Sequence, residues 1–173
     1  MWQAIVEDFS DLPDLAQLTR VTLRMLIAAI LGGILGYERE IKGKQAGLRT
    51  HMLVSVGAAM FVLVPQQAQM STEALSRVLQ GLVAGIGFLG AGTIIRVQEQ
   101  RDIQGLTTAA NIWLTAAIGV AAGLGREVTA IIATLLALVI LSVIVKFERV
   151  MERKDANNSK QNVKPKTRND KVK

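Results

Sequence analysis

Glu38, Arg39 and Glu40 follow directly on an apolar run, and Arg49, Thr50 and His51 stand where the next one begins. Asp102 shares a second charged loop with Arg96, just ahead of Thr107, Thr108 and Asn111. Carboxylates from two loops on one side of a structure could build an ion or proton site, since magnesium takes carboxylate oxygens while keeping several waters. Glu38, Glu40 and Asp102 are the ligands such a site would have, yet no spacing here identifies a metal. The ordinary alternative is a solvated charged loop. His51 is the sole histidine, and a lone imidazole at an apolar boundary is more often structural than a proton relay.

Other chemistries find no support. The chain contains no HExxH, no GxSxG and no Walker loop ending in GK[ST], so the patterns that mark a zinc hydrolase, a serine hydrolase or a phosphate-cradling nucleotidase are missing. Ser55 and Ser142 have no evident base beside them in sequence. With no cysteine in 173 residues, disulfide frameworks and thiolate metal sites are excluded. The expectation is a protein that is not an enzyme and needs no cofactor.

The elements that must hold these polar groups are apolar. Half of the residues are hydrophobic but only 4% are aromatic, a palette of Ala, Leu, Ile, Val and Gly that suits lipid contact. Residues 18–37, 78–95, 106–125 and 128–147 are each long enough to cross about 30 Å of hydrocarbon. The run 51–65 is shorter, and reads either as a span over about 49–65 or as a re-entrant hairpin. Basic residues decide between the two, because short cytoplasmic loops hold the Lys and Arg. The first 17 residues carry Glu7, Asp8, Asp11 and Asp14 and no base; Arg39, Lys42, Lys44 and Arg49 fill the next gap; the chain from Lys146 onward is the densest basic stretch. Only five spans, with the N-terminus outside and the C-terminus in the cytoplasm, put every basic-rich segment on one side. The expected fold is therefore all-α, a polytopic integral membrane bundle of about five transmembrane helices.

Three regions follow: residues 1–17, an acidic tail or interfacial helix; residues 18–147, the transmembrane domain; and residues 148–173, a basic tail too polar to fold. No basic segment precedes the first span, so a cleaved signal peptide is not expected. The net charge of +6 would suit nucleic acid if aromatics were interleaved with it, and they are not. Anionic lipid headgroups are the expected partner of the tail lysines.

Glycine and buried polarity mark the interior. Gly32 and Gly36, Gly81 and Gly85, and Gly119 and Gly123 are spaced four apart, the pattern that lets membrane helices approach closely. Gly85, Gly87, Gly90 and Gly92 spread around their helix instead, so one face can pack while another lines a polar crevice. Arg20 is near enough to the boundary to snorkel. Arg24, a turn deeper, requires a partner in the bundle or a water-filled entry. Thr108, Asn111 and Thr115 share one helical face, suited to interhelical hydrogen bonds or to a ligand.

Three motifs in order, ERE with KGKQAGLRTHMLVSVGAAMF, then RVLQGLVAGIGFLGAGTIIR, then GLTTAANIWLTAAIGVAAGLG, make the chain resemble the hydrophobic domain of the MgtC/SapB family over about residues 20–145. Positions matching that family's motifs include Arg24, Glu38, Arg39, Glu40, Arg49 and Thr50, the glycines from Gly85 to Gly92, and Gly105 through Thr108. The resemblance implies a multi-pass protein of the bacterial inner (cytoplasmic) membrane, linked to magnesium homeostasis and stress adaptation. It also implies regulation of a membrane partner such as the F-type ATP synthase; the alternative is a small Mg²⁺ or H⁺ transporter or channel, as a homo-oligomer. The soluble ACT-like domain that some members append is not expected. Gln104 stands where many relatives have a base.

Overall fold

The computed structural model describes residues 14–96 and 103–144. Five helices fill most of that range: α1 (Leu15–Ile41), α2 (Leu48–Gln67), α3 (Thr72–Ala91), α4 (Leu106–Gly123) and α5 (Glu127–Val139). A two-residue antiparallel hairpin, β1 (Ile95–Arg96) with β2 (Ile103–Gln104), joins α3 to α4 and pairs Ile95 with Gln104. The chain is a helical membrane bundle, and four of its helices are long and apolar enough to cross a bilayer.

Element boundaries differ from the hydropathy reading at several places, α1 among them, which runs from Leu15 to Ile41 against the expected 18–37. The run 51–65 is part of a 20-residue helix, long enough to span, with Pro65 held in its last turn. Conversely, the span expected over 128–147 is a shorter α-helix to Val139 followed by π-helix over Ile140–Ile144; residues 145–147 lie outside the described range. The segment 92–95, expected inside the third span, is instead turn and strand, because α3 starts earlier, with Ser71 Oγ accepting from the Ala74 amide at 3.3 Å, and stops at Ala91. The N-terminal region up to residue 13 and the tail 148–173 also lie outside the described residues.

α2 is the centre of the bundle, packed most extensively against α1 and α4. Glycine makes that possible. A Cβ at Gly32 would lie 2.6 Å from the His51 carbonyl oxygen, and one at Gly36 would lie 2.7 Å from Leu48 Cα. On the other side of α2, Gly119 meets the Ser55 carbonyl and Gly123 meets the Ala59 carbonyl. Backbones in such contact gain dispersion energy and have no side-chain entropy to lose. The register fixes direction: contacts rise together along α2 and α4, which are parallel, and run oppositely along α1.

α3 is different. Only Gly90 is buried on it, 3.6 Å from Ala109 as measured to the position of a Cβ. Gly81, Gly85 and Gly87, expected as packing glycines, have no neighbour within 4 Å of that position, so among the described residues neither the stripe of Gly81 and Gly85 nor the opposite side at Gly87 packs closely on another helix. Gly92 is the C-cap of the helix and meets only its own last turn.

Candidate functional site

The residues expected on the first inner loop are largely helical. Glu38, Arg39 and Glu40 form the last turn of α1, while Arg49, Thr50 and His51 open α2, leaving a short turn over 42–47. Good helix formers carry α1 past the end of its apolar run. The C-terminus of α1 therefore meets the N-termini of α2 and α4, and Thr107 and Thr108 stand in the first turn of the latter.

Two side-chain bridges tie this end together. Arg39, 3% exposed, donates through Nη2 to Thr108 Oγ1 at 2.9 Å and to Thr107 Oγ1 at 3.5 Å. His51, fully buried, has its Nδ1 2.9 Å from the Gly47 carbonyl and its Nε2 2.9 Å from Asn111 Nδ2. A carbonyl only accepts, so Nδ1 carries the ring proton and Nε2 accepts from the Asn111 amide. Thr115 Oγ1 donates to the Asn111 carbonyl at 2.8 Å, one turn further along α4. Ser55, one turn beyond His51, is fully buried, and among the described residues its hydroxyl has no hydrogen-bond partner.

The carboxylates here serve the scaffold. Glu40 Oε2 accepts from the Leu48 amide at 2.8 Å and so caps α2 across the turn, while Glu38 is ion-paired with Lys42. Among the described residues no three His, Asp or Glu side chains converge as a metal site would require. Asp102, the third expected ligand, lies outside them. Arg49 is exposed and Thr50 half-buried, and neither takes part in the bridges to α4.

Arg24 belongs to another place. Its Nη1 donates to Gln66 Oε1 at 3.2 Å and to the Gly123 carbonyl at 3.1 Å, and its Nε lies 3.9 Å from Glu127 Oε1. These partners are the far ends of α2 and α4 and the start of α5. Gly125, with φ of +73°, lies so close to the guanidinium that any side chain there would collide with it. Fifteen residues of helix separate Arg24 from Arg39, about 22 Å at 1.5 Å per residue. The expected polar group thus divides into an Arg39–Thr108 and His51–Asn111 cluster at one end and an Arg24 cluster at the other. Sequence reasoning missed Gln66, Glu127 and the depth of Ser55; of these, Ser55 had a readable signal, one turn from His51.

The comparisons with known proteins agree with the motifs. The model of the MgtC family matches residues 25–150. The chain belongs to the MgtC family. It is 40% identical to Protein SrpB of Synechococcus elongatus over 141 residues, 75% of this chain and 78% of that protein. It is 42% identical to the Putative magnesium transporter YhiD of Escherichia coli K12 over 128 residues, 70% of this chain and 59% of the other. With Protein MgtC of Salmonella typhimurium it shares 44% over 116 residues, 67% of this chain and 48% of the relative. This MgtC-family chain therefore covers only about half to three-fifths of those two relatives. No solved structure matches it.

Proposed function

We propose that the chain is a non-enzymatic regulator in magnesium homeostasis and stress adaptation, acting in the bacterial cytoplasmic membrane by contact with a membrane partner. The observation that carries this reading is the closure of the bundle. Gly32, Gly36, Gly119 and Gly123 bring the α1 and α4 backbones onto α2, and His51, Ser55 and Thr115 between them are fully buried. Among the described residues, backbones in such contact leave no passage for a hydrated ion between α1, α2 and α4. What the described bundle offers outward is α3, open along the stripe of Gly81 and Gly85, a surface suited to another membrane helix. A larger complex such as the F-type ATP synthase is the class of partner this suits. The magnesium link rests on the family and on the name of the Escherichia coli relative, Putative magnesium transporter YhiD. The charge pattern supports an outside N-terminus and a cytoplasmic C-terminus.

Transport is the second reading, favoured by the buried Arg39–Thr108 and His51–Asn111 bridges, because charged and polar groups at membrane depth commonly mark ion routes. A homodimer would then supply the missing half of the path. Affinity purification of the tagged chain from magnesium-starved bacterial membranes separates the readings. Regulation predicts a stoichiometric larger membrane complex that is lost when Gly85 is replaced by Leu. Recovery of the chain alone, with wild-type growth of a deletion strain at low magnesium, contradicts it.

A further inference from the structure

Beside the start of α4 a pocket of about 520 Å³ opens against the α1–α2 turn. Its lining is mixed: beside the apolar Leu106 stand Lys44 and Gln45 from the turn, Gln104 from the hairpin exit, and Thr107 and Thr108 from the first turn of α4. Among the described residues no acidic side chain lines it. Of the neighbouring carboxylates, Glu38 is ion-paired with Lys42 and Glu40 accepts from the Leu48 amide; Asp102, two residues before Gln104, lies outside the described residues.

Three sources of positive potential meet at this pocket. One is the Lys44 amine. Another is the N-terminus of α4, an 18-residue helix whose N-cap is Gly105, with no side-chain cap and no acidic residue in its first turn; helix starts of this kind hold unpaired amide donors and a partial positive charge. The third is Arg39, which lies behind the pocket wall, is 3% exposed, and among the described residues has an Nε without a hydrogen-bond partner. Its Nη2 reaches into the wall, onto the hydroxyls of Thr107 and Thr108. Among the described residues no carboxylate lies within ion-pair distance of it, and the buried Glu38 carboxylate, beside it in sequence, acts on it only through space. A hydroxyl that accepts from a guanidinium keeps its own proton to donate, so both threonines can pass the charge of Arg39 on to an anion in the pocket.

We propose that this pocket binds a phosphate group, held by Lys44, the Thr107 and Thr108 hydroxyls and the first amides of α4, with Arg39 as the buried counter-charge. Tetrahedral phosphate oxygens suit convergent amide, hydroxyl and ammonium donors. The same chemistry is offered by inorganic phosphate and by the headgroup of an anionic phospholipid. The inference stands apart from the regulatory reading, since phosphate can bind whether or not the bundle has a partner.

The test is calorimetric titration of the full chain in neutral detergent with sodium phosphate, alongside native mass spectrometry after addition of phosphatidylglycerol. Lys44→Gln and Thr107→Val alter exposed positions and keep the fold; Arg20→Gln, near the Arg24 end, is the control. Saturable phosphate heat, weakened about tenfold by Lys44→Gln and unchanged by Arg20→Gln, establishes a free-phosphate site. No phosphate heat, but a phosphatidylglycerol adduct lost in Lys44→Gln and Thr107→Val, establishes a lipid-headgroup site. Absence of both signals, or signals that ignore both pocket substitutions, overturns the proposal.

Discussion

Asn111 Nδ2 donates to His51 Nε2 across 2.9 Å, and with 3% and 0% exposure the two side chains have no solvent to turn to instead. Each therefore depends on the other. Asn111→Leu leaves the imidazole nitrogen unpaired in an apolar interior, at a cost of about 1–3 kcal/mol. In a double-mutant cycle with His51→Leu, the double variant is less destabilised than the sum of the singles, by about 0.6 kcal/mol or more. Unfolding in mixed micelles measures this; strictly additive losses would mean that the bridge contributes nothing.

The glycines of α4 and α3 should answer in opposite ways. Gly119→Ala drives a methyl group into the Ser55 carbonyl and forces the helices apart, for a loss of about 1–3 kcal/mol. Gly81→Ala meets open space and gains up to about 1 kcal/mol of helix propensity. Thermal midpoints of the two purified variants give the comparison, and equal midpoints would refute the assigned packing.

At the Arg39 end, distance ranks the two threonines. Thr108→Val removes the 2.9 Å bond to a buried guanidinium, and Thr107→Val only a 3.5 Å one. Loss of the first costs about 1–3 kcal/mol, and loss of the second leaves stability nearly unchanged. Denaturant midpoints in the reverse order would show that Arg39 leans on Thr107 instead.

At the opposite end, Arg24→Ala removes donors to Gln66 and to the Gly123 carbonyl, whereas Glu127→Gln only neutralises a partly exposed partner 3.9 Å away. Ion pairs of that exposure contribute below about 1 kcal/mol. Arg24→Ala is expected to be clearly the more destabilising, and the same unfolding assay decides it.

Much of this was legible in the chain. Gly32, Gly36 and Arg39 fall at spacings of four and three, one stripe of α1, so the arginine on the glycine face had to be buried with it. Thr108, Asn111, Thr115 and Gly119 trace a similar stripe on α4, and His51, Ser55 and Ala59 one on α2. Hydropathy hides such stripes, since it ends a span where charge begins, and so Glu38, Arg39 and Glu40 read as loop although they are helical. Grouping Arg24 with them ignored the rise of a helix. The idle glycines of α3 were beyond sequence reasoning, because a four-residue spacing is the same whether the face meets this chain, another protein or lipid.

We propose a closed bundle that works by contact. Reconstituted alone into liposomes loaded with a magnesium-sensitive or pH-sensitive dye, the chain is expected to pass neither Mg²⁺ nor H⁺ faster than protein-free vesicles. Flux above that background, abolished by Asn111→Ala or Arg24→Ala, would contradict the account.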